Sequence, residues 1–152
     1  MINDEKDKNN GKESFGIIIS RVSGLMKKRL IKSFQEIDEN ITLEEFSILV
    51  ELWKKDNVFQ SEIVEKSRKD KTRITRLLNS LMQKGLVEKH FSEKDCRNFM
   101  VCLTDKGKNL EESLKLKEEF VLALSLNGIS EEDLKITLET LKKVFSNLEK
   151  QK

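Results

Sequence analysis

The sequence predicts a mainly α-helical fold that contains one small β-hairpin. Its 152 residues include no proline and only six glycines, so residues that break helices are scarce. Apolar side chains recur at helical spacing along most of the chain. That spacing is interrupted between residues 86 and 103, where strand-forming residues flank a polar segment. At this length we expect one domain, or one domain with a helical extension.

The N-terminal third is predicted to be a tail followed by one long helix. Residues 1–13 are polar and are expected to be a disordered tail. Over residues 14–40 the helical apolar positions are Ile18, Val22, Leu25, Met26, Leu30 and Phe34. Further apolar residues widen this surface, namely Phe15, Ile17, Ile19, Ile31 and Ile37. A helix that is apolar on more than one side needs several neighbours, and one is often another subunit.

Three more helices are predicted after this one, and only a short connection separates the last two of them. Thr42 and Glu45 have the spacing of a capping box and predict a helix start. After a loop at residues 54–57, a short helix is expected over about 60–67. Only residues 68–70 separate it from the next helical pattern, which is the connection length of a helix-turn-helix pair.

The helix predicted between Asp70 and Gly85 has two contrasting faces. Asp70 is its predicted N-cap, and Gly85 stands where a left-handed C-cap belongs. One face is an apolar stripe of Ile74, Leu77, Leu78, Leu81 and Met82. The other face carries Lys71, Thr72, Arg73, Thr75, Arg76 and Asn79. Hydroxyls and cations of this kind reach base edges and phosphates in a major groove, so double-stranded DNA is the expected partner.

A hairpin with a charged tip follows this helix. Strand-forming residues lie on both sides of the polar segment 92–98, at Leu86, Val87, Phe91, Phe99, Val101 and Leu103. The tip adds Lys94, Asp95 and Arg97 to the candidate DNA-binding residues. A helix, a glycine stop and such a hairpin together predict a winged helix-turn-helix lobe over residues 41–104.

The charge distribution favours the same partner. The formal net charge is +2, but residues 66–97 hold ten Lys or Arg against four Asp or Glu, a local charge of +6. The remainder, with 19 basic and 23 acidic residues, has a net charge of −4. Four of the six arginines lie inside this window. A positive face on a nearly neutral protein is typical of nucleic-acid binding.

Two helices are predicted after the hairpin, within residues 105–152. Thr104 is the expected cap of the first, which runs towards Leu126 and is broken at residues 127–128. Ser130 and Asp133 resemble a capping box and open the last helix. Its apolar positions are expected to face inward at Leu134, Leu138, Leu141, Val144, Phe145 and Leu148.

Other function classes find little support in the sequence. There is no apolar run of the roughly 20 residues that span a bilayer, and the polar N-terminus is unlike a signal peptide. A soluble, cytoplasmic protein without membrane contact is expected. No phosphate-binding glycine loop, metal-ligand motif or nucleophile beside a base is present, so we predict no enzyme, no metal and no cofactor.

Four local motifs at matching spacing resemble those of MarR-family transcriptional regulators. They are a Thr-Arg-Leu-bearing recognition helix (residues 70–81), a Lys-Gly-Leu-Val turn (84–87), an Asp-x-Arg wing tip (95–97) and a Leu-Thr-x-x-Gly exit (103–107). The resemblance covers about residues 14–149. It departs at Cys96, where the family usually has a second arginine, and at Phe59, where a Ser or Thr cap is common. Asn57 is the alternative cap.

The resemblance implies a dimeric regulator with assigned residue roles. The helix over 14–40 and the helices over 105–152 would form a dimerisation layer, and the homodimer would bind a pseudo-palindromic operator. It is expected to be a repressor that responds to a small-molecule effector. The resemblance places Thr72, Arg73, Thr75 and Arg76 at the major groove. It places Arg97 in the minor groove, with Asp95 orienting neighbouring basic groups.

Several alternatives remain open from the sequence. An effector cavity could be lined by Phe46, Trp53 and Phe120, although aromatic residues at helical spacing are more often core. Cys96 and Cys102 could sense oxidants, Cys96 through a pKa lowered by adjacent basic residues, or Cys102 could simply be a buried filler. Zinc bound by these cysteines and His90 is a weaker option, because the ligands are not closely spaced. A helical protein-interaction module is the remaining rival.

Overall fold

A computed structural model describes residues 4–37, 40–92 and 95–150, with side chains for 14–37, 40–91 and 99–150. In chain order the elements are α1 (Asp4–Phe34), α2 (Leu43–Lys54), β1 (Val58–Phe59), α3 (Gln60–Ser67), α4 (Lys71–Gln83), β2 (Val87–Ser92), β3 (Asp95–Leu103), α5 (Asp105–Ser125) and α6 (Glu131–Glu149). The predicted mainly α fold with one hairpin is confirmed. The chain forms two compact units, with the boundary between Val121 and Leu122 inside α5.

The first helix is longer than the sequence predicted. α1 begins at Asp4, ten residues before the expected start at Ser14, which corrects the prediction of a disordered tail over 1–13. The cause is that residues 4–13 contain lysines and glutamates, which are good helix formers, and no proline. Residues 1–3 lie outside the described part.

The core of the first unit lies between α2, α3, α4 and the sheet. It is formed by Phe34, Phe46, Leu49, Leu52, Ile63, Ile74, Leu78, Leu81, Leu86, Val101 and Leu114, among others. The predicted stripe of α4 is narrower than expected, since Leu77 is half-buried and Met82 is 39% exposed. Burying this apolar surface holds α4 against the rest of the lobe, because each buried large side chain contributes about 1.5 to 3 kcal/mol.

The helix caps at α2 and α3 explain where these two helices begin. At α2 the capping box is confirmed, with Thr42 Oγ1 accepting from the Glu45 N–H at 3.2 Å and a Glu45 oxygen accepting from the Thr42 N–H at 2.8 Å. At α3, Phe59 is the N-cap, and Glu62 accepts from its backbone N–H at 3.2 Å. Asn57 is therefore not the cap. Its φ of 57° places it in the left-handed region.

The sheet has three antiparallel strands in the order β1-β3-β2. The hairpin pairs Val87 with Leu103, and the pairing continues out to Ser92 and Asp95. Strand β1, which pairs Val58 with Val101, was not predicted. With only two residues it is too short to show an alternating pattern.

The end of α4 and the start of α5 are joined closely. Gly85 is left-handed (φ 69°), and the N–H groups of Gly85 and Leu86 donate to the carbonyls of Met82 and Leu81, which is a Schellman motif. The predicted Thr104 cap is confirmed, because its Oγ1 accepts from the Gly107 N–H at 3.0 Å. The Thr104 hydroxyl also donates to the Gly85 carbonyl at 2.6 Å.

The second unit contains the last turn of α5 and the whole of α6. Ser130 caps α6 as predicted, with its Oγ accepting from the Asp133 N–H at 3.1 Å. The apolar positions of α6 were expected to face inward, but in the single chain none of its residues is buried. Leu138, Leu141, Phe145 and Leu148 are exposed by 38 to 71%. No helix among the described residues has both the length and the apolarity to cross a bilayer.

Candidate nucleic-acid interface

The polar face of α4 is presented to solvent. Lys71, Thr72, Arg73, Arg76 and Asn79 are exposed, while Ile74, Leu78 and Leu81 on the opposite side are buried. The helix start is fixed by Asp70, whose Oδ1 accepts from the Arg73 N–H at 2.8 Å. The structure therefore brings the α4 candidates to one helix face, on an element that is capped at both ends.

Thr75 differs from its neighbours because its hydroxyl is already engaged. It is half-buried, accepts a hydrogen bond from Gln60 Nε2 at 2.9 Å and donates to the Lys71 carbonyl at 2.9 Å. Gln60 is itself buried. These contacts tie α3 to α4. No sequence pattern indicated a functional role for Gln60, because a single polar residue at a helix start has no periodicity.

Arg73 forms an ion pair with the first turn of α2. Its Nη2 lies 2.6 Å from Glu44 Oε1, and Lys69 Nζ lies 3.8 Å from the same oxygen. By contrast, within the described parts of the chain Arg76 forms no ion pair. Both arginines carry a positive charge, but a carboxylate offsets the charge of Arg73. The net charge around Arg73 is therefore lower than the net charge around Arg76.

A buried carboxylate fixes the other end of α4. Glu45, which is 2% exposed, accepts from Lys84 Nζ at 2.7 and 2.8 Å and from Ser80 Oγ at 2.6 Å. Burial alone raises the pKa of Glu45, but the hydrogen bonds from Lys84, Ser80 and Thr42 outweigh it and lower the pKa below its ordinary value. The sequence identified Glu45 only as a cap. Its partners could not be found, since they lie 35 and 39 residues away.

Two cavities open beside α4. One, of about 570 Å³, lies against α2 and is lined by Thr42, Glu44, Glu45, Asp70, Thr72, Arg73, Arg76, Leu77 and Ser80. The other, of about 330 Å³, lies against α3 and the hairpin and is lined by Gln60, Ser61, Val64, Lys71, Thr75, Lys89 and Phe99. Burial lowers the pKa of Lys89, whose Nζ lies 5.8 Å from the centre of the Phe99 ring. Both cavities adjoin the exposed polar face.

Of the predicted wing residues, Asp95 and Arg97 lie at the start of β3. Lys94 is outside the described residues, and so are the side chains of Asp95, Cys96 and Arg97. The strands reach the hairpin tip, because β3 begins at Asp95. Near the tip the rings of Phe91 and Phe99 pack in a tilted arrangement, with centroids 4.8 Å apart and planes at 49°, which stiffens the hairpin.

Of the three residues predicted to line an effector cavity, Phe46 and Trp53 are neighbours. Phe46 is buried and packs edge-to-face on Phe34 and Trp53, with ring centroids 4.9 and 6.0 Å apart. Trp53 Nε1 donates to the Gly107 carbonyl at 3.0 Å. Phe120 is 66% exposed. Phe46 thus belongs to the core, and the half-buried Trp53 packs against it, so the spacing of these two residues reflects packing.

The Cys102 thiol lies in a buried, hydrogen-bonded position. It is 8% exposed, and its Sγ donates to Asn57 Oδ1 at 2.8 Å. Burial, together with the negative charges of Asp56 and Glu88, raises the pKa of this thiol. The filler interpretation fits this environment. His90 is exposed and contacts Glu88 at 2.9 Å, and no three potential metal ligands cluster among the residues described.

Comparison with known proteins agrees with this geometry. A family model described as Transcriptional regulator SarA/Rot matches residues 29–114. The chain is similar to the uncharacterised HTH-type transcriptional regulator YdgJ of Bacillus subtilis, with 29% identity over 108 residues (71% of this chain and 66% of that protein). It also resembles the organic hydroperoxide resistance transcriptional regulator of the same organism, with 31% identity over 96 residues (63% and 64%). The chain thus spans just under two thirds of each relative.

Solved structures show the same fold. A MarR transcriptional regulator from Methanosarcina mazei Go1 matches with a TM-score of 0.77 and 24% identity, over 92% of this chain and 99% of that one. A mutant MarR from E. coli, complexed with operator DNA, matches with a TM-score of 0.79 and 24% identity, over 89% and 96%. The predicted winged helix-turn-helix fold of the MarR type is confirmed.

Proposed function

Because the chain belongs to the SarA/Rot family of transcriptional regulators, with the MarR winged-helix fold, we propose that it is a homodimeric repressor of transcription. Each subunit would place α4 in the major groove of one half of a pseudo-palindromic operator. The observation that carries this proposal is the two-sided α4, which is apolar and buried on one side and exposed and cationic on the other.

The base-reading and phosphate-binding roles are divided along this helix. Thr72, Arg73 and Asn79 would reach base edges, and Lys71 and Arg76 would bind phosphates. Thr75 would keep α4 in place through Gln60, and its methyl group would remain for apolar contact with a base. At the wing, Lys94 and Arg97 would enter the adjacent minor groove, with Asp95 as their orienting partner.

The homodimer would bury the apolar surface that the single chain leaves exposed. On α1, Phe15, Ile17, Ile18, Val22 and Leu25 are exposed by 42 to 63%. α6 has no buried residue although its apolar side chains keep helical spacing. Large apolar side chains exposed in number along a helix are typical of protein interaction sites, so we propose that a second subunit covers both helices.

An effector would bind in the 330 Å³ cavity between α3, α4 and the hairpin. Its lining combines Val64 and Phe99 with the cations Lys71 and Lys89, which suits a small amphipathic anion. A ligand in this cavity would occupy Lys71 and displace the hairpin relative to α4. Binding of the ligand and of the operator would then oppose each other.

The decisive experiment is selection of bound duplexes from a random pool, followed by titration of the selected site in increasing salt. We expect a two-fold symmetric site, with affinity that falls steeply with log salt as counterions are released. Arg73→Ala, which removes a proposed base contact, should weaken operator binding by about 1 to 3 kcal/mol. A pool without any enriched sequence, or unchanged affinity of the variant, would refute the proposed DNA contact.

The dimer is tested by placing a charge on α6. Phe145, which is 56% exposed, is replaced in Phe145→Glu, and Lys142→Glu serves as the matched control on the same helix. By light scattering the control should remain dimeric, and Phe145→Glu should dissociate and lose operator affinity. A Phe145→Glu protein that stays dimeric would show that α6 is not at the dimer interface.

A further inference from the structure

We propose that Glu44 is a specificity-determining residue of the DNA interface, which holds Arg73 ready to read a guanine and cancels part of its charge. The inference rests on the proposed function, since it assigns a role within the same interface. Glu44 lies on α2, outside the helix that carries the base-reading side chains. It acts through Arg73 and is therefore a positioning residue.

The geometry places one carboxylate between two cations. Oε1 of Glu44 lies 2.6 Å from Nη2 of Arg73 and 3.8 Å from Nζ of Lys69. The backbone N–H of Arg73 is bound by Asp70 at 2.8 Å, so this arginine is fixed both at its backbone and at its guanidinium. A long side chain held in this way loses less conformational freedom when it binds a base.

The held guanidinium keeps enough donors for a guanine. A guanidinium has five N–H donors, and the contact with Glu44 Oε1 is made at Nη2. The side chain of Arg73 remains 54% exposed. Guanine offers two acceptors, O6 and N7, in the major groove, and a two-pronged contact from arginine is the commonest specific one. A guanine is therefore the base that fits this donor arrangement.

The charge balance distinguishes Arg73 from Arg76. Arg76 is exposed and has no acidic partner within the described residues, so its full charge attracts phosphates of any sequence. Arg73 and Glu44 together are nearly neutral at a distance and add little to that attraction. Attraction to phosphates strengthens binding to all DNA alike, whereas a base contact strengthens binding to one sequence. An arginine that contacts a base while a neighbouring carboxylate offsets its charge thus raises the ratio of specific to non-specific affinity.

A simpler role for Glu44 makes different predictions. An acidic residue in the first turn of a helix is stabilising because it faces the positive end of the helix dipole. If that were its whole role, loss of the charge would alter only the stability of α2. The selectivity for the operator would not change.

The experiment compares two variants that each lose one negative charge from α2. Glu44→Gln removes the partner of Arg73, and Glu51→Gln, whose side chain pairs with the exposed Lys54, is the matched control. Fluorescence anisotropy would measure binding to the selected operator and to a scrambled duplex of the same composition, over a range of salt. Circular dichroism would check that both variants are folded.

We expect Glu44→Gln to bind the scrambled duplex about threefold more tightly. The slope of its log affinity against log salt should be steeper by about one, the effect of one additional phosphate contact. Its ratio of operator to scrambled affinity should fall, and its preference at one guanine should weaken. Glu51→Gln should change none of these. Arg73→Ala should remove the same guanine preference, and the double variant Glu44→Gln/Arg73→Ala should restore the wild-type salt slope because the charge balance is then unchanged. Arg76→Ala should lower the slope by about one and keep the guanine preference.

Equal selectivity and equal salt slopes for Glu44→Gln and Glu51→Gln would overturn the inference, and so would an Arg73→Ala variant that keeps the guanine preference. These outcomes differ from failure of the proposed function. In that case the wild-type protein itself would enrich no site, and no operator would exist on which to compare the variants.

Discussion

Replacing Glu45 with glutamine tests whether the buried ion pair with Lys84 holds the recognition helix α4 in place. Glutamine keeps the shape and the oxygen that accepts from Thr42, but it removes the charge that Lys84 meets at 2.7 Å. Removing one partner of a buried pair costs about 3 to 5 kcal/mol. Lys84 is 22% exposed and also donates to the Asn40 carbonyl, so we expect a smaller loss, about 2 kcal/mol at pH 7.

The stability difference between wild type and Glu45→Gln should depend on pH, in a direction set by the pKa of Glu45. The pKa of Glu45 is lower in the folded protein than its ordinary value, so the folded state binds the proton less tightly than the unfolded chain. The stabilisation is present above the unfolded pKa of about 4.3 and is lost as pH falls through the lower folded value. Wild type and Glu45→Gln should therefore differ most at neutral pH and converge in acid.

Urea denaturation followed by circular dichroism, at pH 7 and at steps below pH 5, measures this difference. Glu51→Gln is the control, because its pair with Lys54 is exposed and is worth less than about 1 kcal/mol. If the two variants were equally stable, or if the loss in Glu45→Gln did not change with pH, the reasoning about the buried carboxylate would be wrong.

Two further predictions concern packing and thiol chemistry. Gly107→Ala should destabilise the protein by at least ~2 kcal/mol in urea denaturation, because the added Cβ would lie 2.1 Å from the Leu86 carbonyl oxygen. Gly24→Ala is the control and should cause no loss of stability, because its Cβ would meet nothing within 4 Å. Equal stability of the two variants would contradict this reasoning. In a Cys96→Ser background, Cys102 should react with a disulfide reagent at pH 7 more slowly in the folded protein than in urea, because it is only 8% exposed and burial raises its pKa. Equally rapid reaction in the folded protein would favour the redox hypothesis.

Local signals in the sequence predicted much of the fold. Asp70, Thr104 and Ser130 were identified as caps, because the residue type and the following helical pattern lie within a few positions of each other. Gly85 was identified for the same reason, as a glycine directly after an apolar stripe. The start of α1 was placed too late, since polarity was interpreted as disorder where helix propensity was sufficient.

The contacts that define the candidate site could not be predicted in the same way. Glu44 and Arg73 are 29 positions apart and meet only because α2 packs on α4, which no local pattern specifies. Polarity alone grouped Thr75 with the base-reading residues. Its hydrogen bond to Gln60, 15 positions away, shows that it also joins α3 to α4. Residue type can thus identify a polar face, but packing decides which members of that face are free to bind.

The structure explains how a small lobe can present charged side chains in fixed positions. Both ends of α4 are tied to α2, through Arg73 and Glu44 at its start and through Lys84 and Glu45 at its end. The Gly85 turn is tied in the same way to α5, through the Thr104 hydroxyl. In the proposed DNA complex, a helix that is already rigid avoids the cost of ordering. A change in the position of α2 would therefore move both ends of α4 together, so the proposed coupling of DNA binding to a dimer or an effector need not pass through the hairpin.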